Sequence, residues 1–125
     1  MKTISFSNNW NNKLNNKAFS TLRLHNPTKY IVGQQYEIEL QGKNLGTAIL
    51  KEVRVLRADQ LNEFICHLDT GYNKLQTLKI LERMYPNLIV NRALFDFCLL
   101  VYTNSKQAKP IRQTEQVQLR LPYKD

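Results

Sequence analysis

The chain has 125 residues, with 18 Lys and Arg against 10 Asp and Glu, a net charge of +8. That length suits one domain with a core of its own, and the basic balance favours polyanionic partners, nucleic acid first. It excludes a membrane span, because no segment approaches the roughly 18 consecutive apolar residues that a spanning helix needs.

The opening "MKTISFSNNW" lacks the apolar run of a secretory leader, so the expected location is the cytoplasm. Cys66 and Cys98 sit in the apolar contexts "EFICHL" and "FDFCLLVY". Without CxxC spacing they read as reduced, buried thiols and not as zinc ligands. Neither a metal nor a cofactor is expected. The Asn- and Lys-rich usage is what an AT-rich bacterial or phage genome encodes.

"TISFS", residues 3–7, alternates as a strand does. "NNWNNKLNNK", residues 8–17, holds six asparagines in ten positions, a composition that resists a packed core and favours turns. Trp10 and Leu14 lie four apart. The stretch is therefore either a short helical turn docked on the body or a mobile loop beside a site. "AFSTLRL" is the second strand, with Phe19, Thr21 and Arg23 on one face and Ser20, Leu22 and Leu24 on the other. Asn26-Pro27 marks a turn and Gly33 ends the connection. "QYEIEL" alternates as a half-buried strand. "QGKNLG" reads as a hairpin loop. "TAILKEVRVLR" is a long strand, of the bent kind with which a small barrel turns a corner.

The period changes after Ala58. Leu61, Phe64, Ile65 and Leu68 recur at helical spacing, with Asp59 near the start and Gly71 just past the end. Leu75, Leu78 and Leu81 mark a second helix that Pro86 stops. "ALFDFCLLVYTN" is the most apolar strand and reads as a central one. Residues 105–125 carry five basic and two acidic side chains. They form a basic extension that either adds a strand at "QVQLRL" or stays disordered against RNA or a protein partner. Strands and helices are segregated, which predicts an α+β domain over residues 1–104, with five to six strands in a small barrel and two helices inserted before the last core strand.

"FSTLRLHNPTKYIVGQQYEI" resembles the signature of ASCH domains in the PUA-like superfamily. Thr21-Leu22-Arg23 stands for its T-x-R, and "YIVGQQYEI" for its turn and strand. The likeness runs from about residue 3 to residue 103. It implies a small barrel with a cleft between the T-x-R strand and the helical insert, in a family thought to bind RNA or nucleotides. A bacterial branch hydrolyses the amide of acetylated cytidine with a lysine, a threonine and a carboxylate. Residue by residue, Thr21 and Arg23 match. Asp69 falls where the carboxylate would sit, one methylene shorter than the family's glutamate. Counting back from Arg23 puts Ala18 at the lysine position. Lys17 reaches the cleft only if a bulge at Ala18 restores its face.

The expected binding set is Ser20, Thr21, Arg23, Asp69 and Tyr72, the last as a stacking ring for a base. If the protein is an enzyme, the catalytic set is Thr21, Lys17 and Asp69. Against these stand structural roles: Thr21 as a strand filler, Arg23 braced by Asp69, Asp69 as a backbone cap and Tyr72 as a core ring. The leading reading is an RNA- or modified-nucleoside-binding domain. The alternatives are an amidohydrolase acting on a modified pyrimidine and an interaction subunit working through the basic extension.

Overall fold

Fifteen residues, Lys43–Arg57, form the longest strand, β4, and the sheet is built around its bends. The computed structural model describes residues 1–106. Ahead of β4 lie β1 (Lys2–Phe6), β2 (Ala18–Leu24) and β3 (Gln35–Leu40). After it come two helices, α1 (Glu63–Thr70) and α2 (Lys74–Met84), and then β5 (Leu94–Ser105). The strands form one sheet in the order β1-β3-β4-β5-β2. β1 runs parallel to β3 and every other pairing is antiparallel. The molecule is thus α+β with a mixed sheet, and β5 holds the interior position that its apolar run predicts.

The register of β4 against β5 slips between Thr47 and Ala48 and again between Leu50 and Glu52. Such bulges bend a strand and raise its twist, and the sheet curls into a half-barrel. Its two edge strands meet through side chains: Phe6 of β1 stands edge-on to Phe19 of β2, ring centres 6.0 Å apart. Inside the curl lie Ile4, Phe6, Leu14, Phe19, Ile38 and Leu50. On the other face Leu22, Leu61, Cys66, Leu81 and Phe95 pack beneath the helices. β2 serves both layers because its side chains alternate.

The first helix begins later than its periodicity predicts. Ala58–Gln60 is a separate helical turn, and Asp59 pairs with Arg57 at 3.1 Å. Asn62 caps α1 by accepting from the Ile65 N–H at 2.8 Å. Gly71 closes it in the left-handed conformation, φ 83°, as its position predicts. The buried face carries Cys66, Asp69 and Thr70, while Phe64 is 79% exposed and Leu68 and Leu75 also face outward. An eight-residue helix has little apolar stripe to orient it. Here polar bonds do so, among them Thr70 Oγ1 to Thr77 Oγ1 at 2.9 Å.

Cys98 is buried in β5, and burial pushes its thiol from 9.0 up to about 12. The unfolded chain therefore releases this proton at lower pH than the folded one. The contribution is intact below pH 9 and is lost as pH rises towards 12. Cys98→Ala is expected to lower stability at pH 7 through the cavity it leaves, yet to flatten the fall between pH 9 and 11. Thermal melts of both proteins across that range check this.

Candidate functional site

The cleft lies where the half-barrel fails to close. Backbone bonds from Tyr102 N–H to Lys17 C=O, 2.9 Å, and from His25 N–H to Leu94 C=O, 3.0 Å, fix the alternation along β2. They turn the N–H and C=O groups of Ser20 and Leu22 away from β5, to the free edge. Ser5, Phe6 and Ser7 of the opposite edge, together with Lys13, Asp69 and Ile80, complete a cavity of about 60 Å³. It has room for a handful of waters.

The asparagine-rich stretch forms one wall. Trp10–Asn15 makes short helical turns with Asn11 at φ 60° and Asn12 at φ 53°, a left-handed conformation that asparagine tolerates better than most residues. Leu14 is fully buried and anchors the segment. The Asn11 amide donates to the His67 and Leu68 carbonyls, tying the segment to the end of α1. Docking by Leu14 carries Lys13 inward with it.

Lys13 is 5% exposed and Asp69 3%. The Lys13 ammonium donates to Asp69 Oδ1 at 2.9 Å, and the Ser20 hydroxyl donates to the same oxygen at 2.7 Å. Burial lowers the Lys13 pKa, Asp69 works to raise it, and the Arg23 charge lowers it further. Both bonds fall on Oδ1. Asp69 itself lines the cavity.

Arg23 runs along the same wall. Its Nε donates to Thr21 Oγ1 at 2.9 Å, and its guanidinium stacks 4.5 Å from the Phe6 ring centre. The terminal nitrogens make no hydrogen bond or ion pair among the described residues, and half-buried Arg23 lines the cavity. The site therefore offers a carboxylate acceptor and a donor fork above an aromatic ring.

No family model matches the sequence, and no curated protein matches it. In fold, the chain is similar to the protein EF3133 from Enterococcus faecalis V583, whose crystal structure is described with the family model DUF984. The TM-score is 0.54 at 11% identity, covering 80% of this chain and 72% of that one. At that identity the likeness carries the fold alone.

The structure brings Ser20, Thr21, Arg23 and Asp69 together and leaves Lys17 out. Lys17 is exposed, precedes β2 and does not line the cavity; β2 pairs with β5 without a register shift, so there is no bulge at Ala18. Lys13 occupies the cleft instead. Asp69 is neither a brace for Arg23 nor a backbone cap in its recorded bonds, since Thr70 Oγ1 accepts from the Tyr72 N–H. Tyr72 is not a core ring. It is 43% exposed and stands edge-on to Trp10, 5.7 Å away, outside the cleft. His25 bonds to buried Asp96 at 2.7 Å and braces the turn after β2. Among the described residues no three His, Cys, Asp or Glu side chains gather as a metal requires, and no helix is long and apolar enough to cross a membrane. Most of the basic extension, residues 107–125, lies outside the described residues, as does the strand expected at "QVQLRL".

Proposed function

We propose that this chain is an ASCH-like, PUA-like binding domain that binds RNA or a modified nucleoside at the cleft between β1 and β2, with a base edge or phosphate reaching into its small cavity. The observation that carries the reading is that a carboxylate and a guanidinium line one cavity, Asp69 as acceptor and the Arg23 fork as donor. A base edge presents donors and acceptors side by side, and a phosphate suits the fork. The curled sheet and the excess of positive charge support the same reading.

Titration with short single-stranded RNA tests it. Affinity is expected to fall steeply with added salt, as counterion release requires. Arg23→Ala is expected to weaken binding at least tenfold, in line with about 1.5–3 kcal/mol for a hydrogen bond to a charged group. Absence of binding at low salt, or an unchanged affinity in Arg23→Ala, refutes the proposal.

A second reading rests on one observation: Lys13, Thr21 and Asp69 all line the same cavity. In an amidohydrolase of acetylated cytidine, the Thr21 hydroxyl would attack the amide carbonyl and pass its proton to a base. The acyl group would move to Thr21 and the amine would leave with a proton; water would then hydrolyse the threonine ester, releasing acetate and restoring the hydroxyl. Thr21 Oγ1 already accepts from Arg23, which leaves its own proton free to give. Burial pushes Lys13 towards the neutral amine that a base must be. Its bond to Asp69 opposes this. Incubation with acetylcytidine decides the matter, and no release of acetate above the buffer rate ends this reading.

A further inference from the structure

Beside the cleft lies a second depression of about 250 Å³, lined by Trp10, Tyr72, Gln76, Lys79, Ile80 and Arg83. Trp10 and Ile80 line the cleft as well, so the two hollows are neighbours that share a wall. The groove pairs aromatic rings with cations. Trp10 and Tyr72 meet edge-on at 75° between ring planes. Lys79 and Arg83 stand one turn apart on α2, on the same face as Gln76. Both cations are exposed, and neither takes part in an ion pair among the described residues. Trp10 is held in place by the left-handed turn behind it and by the Asn11 bonds to α1, so its ring is positioned before any ligand arrives.

We infer that the groove is the path of a single-stranded RNA, with a base edge or phosphate of one nucleotide at the cleft and the neighbouring base stacked on Trp10, beside Tyr72. Lys79 and Arg83 take the phosphates that flank the stacked nucleotide. This inference rests on the nucleotide-binding reading of the cleft and narrows it to a polymer. A free nucleoside has no use for two cations beyond its own pocket. An exposed aromatic face beside unpaired cations is the chemistry by which single strands are held without regard to sequence. A duplex hides its base faces and cannot use the rings.

The test compares octauridylate with uridine monophosphate on the full chain. Trp10 is the single tryptophan, so its fluorescence reports stacking directly. Octauridylate is expected to quench it and to bind at least tenfold more tightly than the mononucleotide. The double variant Lys79→Glu/Arg83→Glu is expected to lose most of that gain and to show a shallower salt dependence. The charge-matched variant Lys43→Glu/Lys51→Glu, on β4, is expected to lose much less. Equal affinity for oligomer and mononucleotide, unquenched Trp10, or equal losses in the two double variants overturn the groove as an RNA path while leaving the cleft reading intact. Failure of both ligands to bind, or indifference to Arg23→Ala, overturns the cleft reading itself.

Discussion

Asp69→Ala is expected to cost about 3–5 kcal/mol of folding stability, the loss typical of a buried charge deprived of its partner. Lys13 is buried, and its ammonium has Asp69 as its recorded hydrogen-bond partner. Without the carboxylate, the chain must either keep an uncompensated cation in the cleft wall, release its proton, or undock the segment that carries it. Against a total of about 5–15 kcal/mol for a domain, the change is large. Lys13→Met in the Asp69→Ala background is expected to restore much of it, because the thioether side chain removes the charge and still fills the space. Urea unfolding of the wild type and both variants checks the pair. A loss below about 1 kcal/mol in Asp69→Ala would mean that water reaches Lys13 freely and that the cleft wall is not a desolvated pair. The sign at high pH follows from the lowered Lys13 pKa. The unfolded lysine holds its proton to a higher pH than the folded one, so the Lys13 contribution to stability rises from the folded pKa up to about 10.5. Cys98 works in the opposite direction above pH 9, which is why the two are separated by variants and not by the pH profile alone.

Gly46→Ala is expected to cost about 3 kcal/mol and to loosen β4 from β5 at the bulge. Gly46 has φ +129°, and an added Cβ would stand 2.0 Å from the Asn104 carbonyl oxygen. Both the clash and the strained backbone act on main chain that cannot rotate away. Gly33 and Gly42 also have positive φ, but nothing lies within 4 Å of a Cβ at either. Alanine there is expected to cost about 1–2 kcal/mol, the left-handed penalty alone. Thermal unfolding of the three variants separates steric conflict from conformational strain. An equal cost at all three positions would show that the bulge at Gly46 yields to the added methyl group.

Much of the architecture follows from patterns that are local in the chain. The alternation of "QYEIEL", the apolar run of "FDFCLLVY" and the stop signals at Gly71 and Pro86 depend on neighbours a few positions away, and these elements stand where their patterns predict. The helical faces were less legible. Leu68 and Leu75 keep the expected spacing yet face outward, because helix orientation is set by what packs beneath, here Cys66, Thr70 and Thr77.

The candidate site divides in the same way. That Thr21 and Arg23 share a face of β2 is a consequence of strand periodicity, and the sequence by itself determined it. It also determined that Asp69 would lie at the corner between the helices, since Gly71 ends α1. Which lysine joins them was a tertiary matter. Lys17, four residues from Thr21, is exposed and lies outside the cavity lining, whereas Lys13 meets a carboxylate 56 positions along the chain. Its placement depends on Leu14 finding the core and on two asparagines accepting left-handed turns. The curl of the sheet likewise arises from register slips between β4 and β5, strands about fifty residues apart in sequence. Periodicity records which side chains share a face. It does not record how distant faces meet, because that depends on packing between elements that no short stretch of sequence contains.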